Sequence, residues 1–404
     1  MAKKAKTPTK LKTNGWEQRF FPVEVSTITK FGLGKPYSIF LSNNSQNEQF
    51  MLGSHKLSGG PNDNEPDDLP TLYTQDMRMI KMPNGRKFVQ RRTHMDGALA
   101  LSYGEVLYGN MAEQLDMPYV KYYPVTNSGA NAKESRMTVM SEFCYNKKTE
   151  LLLNIRQLTD HTKDKGKSYS NCLTNVFSVL DELDGKECVV EGKNTTIKID
   201  PKAKLDLFKM YVLDYITMQT DRRYANINFI VNKDTGQLKA APLLDNGWIP
   251  NLLYSDVTKE AVINSHHGGS IPVQKAKLLS KEQLGQLLTI WSRLSLNGDS
   301  YKYGMSHTDR VRQNCEDMVK MSTTIPEATD FLTTLSEKAN ITKAIEKTNQ
   351  QIGFTLPDVE RQNVINTADM ITGYIAQGLS GKKGNELVER TAIRQNAQKS
   401  KMAL

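Results

Sequence analysis

Asp221, Asn226 and Asp245, near the middle of the chain, have the types and spacing to handle a metal-bound phosphate. The loop Asp221-Arg222-Arg223-Tyr224-Ala225-Asn226 sets a carboxylate and an amide five positions apart. A strand, Asn228-Phe229-Ile230-Val231, follows, and a turn at Asp234-Thr235-Gly236 reverses the chain into Gln237 to Leu244. That return strand ends on the second carboxylate, so the hairpin brings Asp245 back to the mouth of the loop. Two carboxylates and an amide oxygen form a hard donor set that suits Mg²⁺. In such a site Asp221 can accept a proton from, or orient, an incoming hydroxyl, while Asn226 and Asp245 hold the metal that bridges nucleotide phosphates. Gly247 stands where the metal-holding segment must turn sharply. Asp-x₄-Asn or Asp-Asn-Gly alone is a routine loop or turn. The order of helix, loop, strand, turn, strand and Asp-x-Gly is what carries the signal.

The elements that must position these residues are legible around them. A helix is expected over about 202–218, with Leu205, Phe208, Val212, Tyr215 and Ile216 on one side. Upstream, alternating apolar and polar residues predict strands at 20–25 and 37–41, and residues 53–70 read as a Gly/Pro/Asp-rich loop. A hairpin follows, Met77 to Met82 and Lys87 to Arg92, turning at Asn84-Gly85, a pair that tolerates the positive φ of a tight turn. Next come a helix over about 98–115 and strands at 118–125 and 137–144. From about Thr149 the chain is expected to be helical except for the unit at 202–250, with helices at 280–294, 307–321, 326–349 and 357–377. Ser280 and Gln283 have capping-box spacing. The class is α+β: a sheet-rich N-lobe over 15–148 and a helical C-lobe over 149–380, with a basic arm at 1–14 and a basic tail at 381–404.

Of the 404 residues 24% are charged and 38% apolar, as in an ordinary soluble globular protein. No stretch approaches the ~20 consecutive apolar residues of a membrane span. Met1 to Asn14 has no apolar segment behind it and does not read as a secretory signal, so a cytoplasmic location is expected. The four cysteines are widely spaced and form no Cys-x-x-Cys pair, which argues against zinc, redox and disulfide frameworks. The net charge of +9 resides wholly in the two tails. Residues 15–380 are formally neutral, so no nucleic-acid groove is evident on the body of the chain.

The stretch Asp214-Tyr215-Ile216-Thr217-Met218-Gln219-Thr220-Asp221-Arg222-Arg223-Tyr224-Ala225-Asn226-Ile227-Asn228-Phe229 resembles the catalytic loop of HipA-like serine/threonine kinases. Ala241-Pro242-Leu243-Leu244-Asp245-Asn246-Gly247 resembles the segment that follows in that family, and Glu105-Val106-Leu107-Tyr108 with Leu115-Asp116-Met117-Pro118 resembles its helix and turn before the hinge strand. The resemblance spans about 202–250 and, less fully, 85–145. It implies a two-lobed protein-kinase-like fold with extra C-terminal helices, ATP and Mg²⁺ as cofactors, and a protein substrate with a Ser/Thr acceptor. An antitoxin-like or regulatory partner is a further implication, since some members are toxins so restrained.

By the same resemblance Asp221 is the catalytic base and Asn226 and Asp245 are the metal ligands. Arg223 stands where related enzymes place a His or Lys, and a cation there can neutralise charge on the transferred phosphoryl group. A phosphate-binding lysine is expected on the strand before the Glu105 helix, paired with that glutamate. Lys87 and Arg91 are the candidates, sharing one strand face with Val89, and Arg91 lies nearer the expected register. The main chain of Glu142, Phe143 and Cys144 would meet adenine. Gly32-Leu33-Gly34-Lys35 is a weak candidate for a phosphate loop, and His266-His267 falls in the expected activation segment with Thr258, Ser265 and Ser270. Two other readings stay open: a small-molecule or lipid kinase of this architecture, and a nucleotide-binding pseudokinase that lost the small-lobe lysine.

Overall fold

The computed structural model describes residues 57–58, 77–81, 87–91, 98–126, 137–142, 144–146, 148–159, 172–191, 193–222, 224–244, 246–247, 249, 278–292, 294–297 and 304–380. The expected strands at 20–25 and 37–41, the Gly32 and Gly34 pair, most of the 53–70 loop, Phe143, Arg223, Asp245, the 258–270 segment and both basic tails lie outside these residues.

The N-terminal part is built on an antiparallel sheet in the order β2-β3-β5-β4, from Met77–Lys81, Lys87–Arg91, Met137–Glu142 and Tyr122–Thr126. β2 and β3 pair in the expected hairpin register, Met79 opposite Val89. Helix α1 (Ala98–Gln114) packs against β4 and β5. From Ser102 to Ala112 it is buried on every side, because sheet and helices enclose it; a helix of this kind shows no amphipathic stripe.

A second sheet, in the order β6-β10-β11-β9, carries the expected hairpin of β10 (Asn228–Asn232) and β11 (Gln237–Ala240). Gly236 closes that turn at φ +71, and a Cβ there would lie 2.1 Å from the carbonyl oxygen of Thr196, so only glycine fits. Helix α4 (Ala203–Thr217) backs this sheet. The main hydrophobic cluster runs from α1 through α4 into the C-terminal helices. Leu152, Ile230 and Ala241 form a separate apolar cluster, against which Cys144 and Tyr145 pack.

Two expectations need correction. The chain after Thr149 is less helical than its pattern suggests. Glu150–Asn154 is strand β6, paired along its length with β10, and Glu187–Val190 (β7) with Lys193–Thr196 (β8) makes a hairpin that joins β1 (Leu57–Ser58). Lys198–Ile199 (β9) adds a short parallel edge beside β11. A run such as Leu151-Leu152-Leu153 fits a buried strand or a helix equally well, and the β10 partner decides it. Short helices α2 (Ile155–Thr159) and α3 (Leu173–Leu183) complete this region.

The single helix expected over 326–349 is two, α7 (Ala328–Lys338) and α8 (Ile341–Ile352). Asn340 breaks them: its side-chain oxygen accepts the amide of Lys343 and caps α8. The remaining helices, α5 (Lys281–Trp291), α6 (His307–Ser322) and α9 (Asp358–Ser380), fall where expected. The Ser280–Gln283 capping box is formed in both directions. The molecule is thus α+β, a sheet-rich part followed by a helical one. No helix among the described residues is long and apolar enough to cross a membrane.

Candidate active site

Helix α4 ends at Met218, which takes a left-handed conformation (φ 57°, ψ 35°) and turns the chain out of the helix. The Gln219 amide donates to the carbonyl of Asp214, and the Gln219 side chain in turn accepts the amide of Asp221 at 3.1 Å. A turn of 3₁₀ helix, Tyr224–Asn226, then brings the Asn226 amide back over Asp221. Asn226 Nδ2 donates to the Asp221 carbonyl at 2.8 Å and lies 3.5 Å from its Oδ2. The expected carboxylate and amide are therefore side by side. With Nδ2 committed to the backbone, the amide oxygen is the end left to face a cation, which is the donor chemistry a Mg²⁺ ligand requires.

Sequence reasoning missed the residue between them. Arg222 is fully buried, and its guanidinium forms a paired contact with Asp214, Nε to Oδ2 and Nη2 to Oδ1, both at 3.0 Å. Tyr108 of α1 donates to the same carboxylate at 2.7 Å. Burial pushes the Asp214 carboxyl up, while the charge and hydrogen bonds of Arg222 and the Tyr108 hydroxyl pull it back down. Burial, and next the Asp214 charge, raises the Tyr108 hydroxyl well above its ordinary value.

The other donors of Arg222 reach the chain on both sides of position 245. Nη1 donates to the carbonyls of Asn226 and Leu244, each at 3.2 Å, and Nη2 donates to Asn246 Oδ1 at 2.6 Å. One planar fork thus ties the Asp221–Asn226 loop to both neighbours of Asp245. Asp245 itself lies outside the described residues, as does Arg223.

Helix α1 closes the site from the other side. Glu105 Oε2 accepts the backbone amide of Asn246 at 2.8 Å. One residue earlier, a Cβ on Gly104 would stand 2.4 Å from the Gly247 carbonyl oxygen, so the helix can seat on Asn246-Gly247 only with glycine at 104. The candidate lysine-type partners of Glu105, Lys87 and Arg91, have their side chains outside the described residues, and the contact to Asn246 was not expected from the sequence. β3 carries Lys87 and Arg91 at its two ends, but their side chains lie outside the description. Position 89 between them pairs with Ser141, which pairs on with Tyr122.

Glu142 ends β5 opposite Phe88, half-buried. Cys144 is half-buried against the Leu152, Ile230, Ala241 cluster, and burial pushes its thiol up to about 11. Among the described residues no three His, Cys, Asp or Glu side chains group closely enough to hold a metal ion.

No family model matches the chain, and no curated protein matches it. Kinases are among the solved structures similar to it. One is the proinflammatory kinase CtkA of Helicobacter pylori, with 14% identity over 75% of this chain and 94% of that one, and a TM-score of 0.47. Another is the HipA, HipB and operator DNA complex of Shewanella oneidensis, with 11% identity over 72% of this chain and 58% of that one, and a TM-score of 0.31. A third is the Golgi casein kinase, with 10% identity over 75% of this chain and 71% of that one, and a TM-score of 0.31. At these identities and scores the likeness decides neither activity nor substrate.

Proposed function

We propose that the chain is an ATP- and Mg²⁺-dependent phosphotransferase of the protein-kinase type, acting on a serine or threonine hydroxyl of a protein. The observation that carries the reading is the Arg222 fork, which holds the Asp221–Asn226 loop and both neighbours of Asp245 to one buried point. A loop and a hairpin end that merely happened to be close would have no reason to share a buried cation.

In this reading Asp221 accepts the proton of the acceptor hydroxyl as its oxygen bonds to the γ-phosphorus. The bond from that phosphorus to the β–γ bridging oxygen breaks, and ADP departs with the electron pair. Mg²⁺, when bound, would neutralise charge on the β- and γ-oxygens, and Asn226 and Asp245 are the residues that would hold it. Arg223 is assigned to the transferred phosphoryl group, and Lys87 or Arg91 to the other phosphates. The main chain from Glu142 to Cys144 is assigned to the adenine edge, with the Leu152, Ile230, Ala241 cluster beneath the ring. A cytoplasmic location and a regulatory or antitoxin-like partner belong to the same proposal.

The test is transfer of radiolabelled phosphate from ATP with Mg²⁺, comparing wild type with Asp221→Asn and Asp245→Ala. Label should enter the protein or an added acceptor with wild type alone. Thermal stabilisation by ATP without transfer would make the chain a nucleotide-binding protein. Absence of both would refute the reading.

A further inference from the structure

Helix α1 is held on two faces by segments far apart in sequence. At 3.6 residues per turn, Tyr103, Asn110 and Gln114 fall within about 40° of one another, while Gly104, Tyr108 and Glu105 lie about 100–200° round from Tyr103. The second face is the one seated on Asn246-Gly247 and Arg222. The first is covered by α8 and the turn that precedes it.

That seam is polar, buried at Asn110 and Thr348, part-buried at Tyr103–Asn349 and open to solvent at Gln114. Tyr103, 1% exposed, donates its hydroxyl to Asn349 Oδ1 at 2.6 Å. Asn110 donates to the Thr348 hydroxyl and to Gln351 Oε1, both at 2.8 Å. Gln114 bonds reciprocally to the backbone of Asn340 at the start of α8, accepting its amide at 2.8 Å and donating to its carbonyl at 3.2 Å. Ion pairs Glu113–Lys347 and Asp116–Lys338 flank the seam in solvent. Apolar helix faces can slide by part of a turn at little cost. Paired buried polar groups cannot, because any other register strands donors and acceptors away from water.

We propose that α8 is a built-in positioning clamp: through Thr348, Asn349 and Gln351 it fixes α1 in the register that seats Glu105 on Asn246 and assembles the nucleotide site. The proposal rests on the phosphotransferase reading. In enzymes of that type the position of the helix bearing this glutamate controls activity, commonly through a partner or phosphorylation of the activation segment. Here the face of α1 that an external activator would grip is occupied by the chain's own C-terminal region. The site is therefore assembled in the isolated chain, and a regulatory partner must act elsewhere.

The test uses the full chain and the double variant Tyr103→Phe/Thr348→Val, which removes two buried hydroxyls while keeping side-chain shape. Hydrogen exchange over 98–114 should quicken about tenfold while that of 203–217 is unchanged. Affinity for a non-hydrolysable ATP analogue with Mg²⁺ should fall about tenfold, or about 1.4 kcal/mol. Thr348→Ser, which restores the hydroxyl, should bind like wild type. By reciprocity, the analogue bound to wild type should slow exchange in 341–352. Faster α1 exchange with unchanged nucleotide affinity well below the melting temperature would show a structural role only and overturn the clamp. Wild type that binds no nucleotide would overturn the phosphotransferase reading and the clamp together, an outcome distinct from wild-type binding that persists in the variant.

Discussion

Replacing Arg222 with lysine keeps a positive charge beside Asp214 and removes the planar fork. The choice matters, because truncation to an apolar residue would leave the Asp214 carboxylate buried without a counter-charge. That costs about 3–5 kcal/mol, a large part of the roughly 5–15 kcal/mol that holds an ordinary protein folded. Lysine has three donors on one nitrogen and can stay on Asp214. It cannot also reach the carbonyls of Asn226 and Leu244 and the side chain of Asn246.

Three charge-assisted hydrogen bonds are thus lost, at about 1.5 kcal/mol each, or about 4.5 kcal/mol in all. For a chain of this size the melting temperature should fall by about 5 °C, leaving the protein folded at 25 °C. The effect on chemistry should be larger than on folding. With both neighbours of Asp245 released, a displacement of about 1 Å at the metal site suffices to lower turnover by about 10²-fold. The assay is a melting curve paired with single-turnover phosphate transfer at 25 °C. A lowered melting temperature with transfer within threefold of wild type would refute the argument, since Arg222 would then hold the fold without positioning Asp245.

Two further substitutions probe other contacts. Gly104→Ala puts a methyl group 2.4 Å from the Gly247 carbonyl oxygen, against backbone on both sides. Phosphate transfer should fall at least tenfold with a loss of about 1–3 kcal/mol in stability, read by transfer assay and denaturant unfolding; unchanged transfer would show that α1 does not need this close approach. Glu282→Gln tests the capping of α6, where the carboxylate accepts the amides of His307 and Thr308 and the Thr308 hydroxyl. Those bonds hold the Glu282 carboxyl below its ordinary 4.5, so their stabilisation is present above that pH and is lost as pH falls through the depressed folded value. Wild type should melt higher than the variant at pH 7, with the gap closing as the pH is taken down below 4.5; a gap that widens on acidification would contradict the assignment.

Asp221 and Asn226 could be singled out because their spacing is set locally. A helix end and a short loop leave few ways to place them, and each boundary has its own signal in residue type. Arg222 was invisible for the opposite reason. Beside Asp221 it reads as another loop arginine, and its burial depends on Tyr108 and Asn246, 114 and 24 positions away. A usable trace did exist in Asp214. It is a lone acid in the last turns of α4 amid Val212, Leu213, Tyr215 and Ile216, and a buried acid demands a cation. Gly104 left no trace, since a glycine inside a helix declares a close approach without naming what approaches. The division of α7 from α8 was hidden because no glycine or proline interrupts the chain between Glu327 and Ile352, and the cap at Asn340 is recognisable only from its bond to Lys343.

The buried ionic network and the α1–α8 seam answer the same physical problem. A buried salt bridge is weak evidence for stability, because desolvation consumes most of what the charges gain. Its value lies in geometry: a guanidinium meeting Asp214, Asn226, Leu244 and Asn246 at once has essentially one position in which all are satisfied. The same holds for Asn110, whose amide is satisfied only when α8 presents Thr348 and Gln351 together. α1 stands between the two constraints, fixed toward Asn246-Gly247 and Arg222 on one face and toward α8 on the other. Its position is thus set by contacts in residues 214–247 and 340–354 as well as by the sheet it packs against. That is why α8, one of the C-terminal helices beyond the expected catalytic unit, belongs to the mechanical frame of α1.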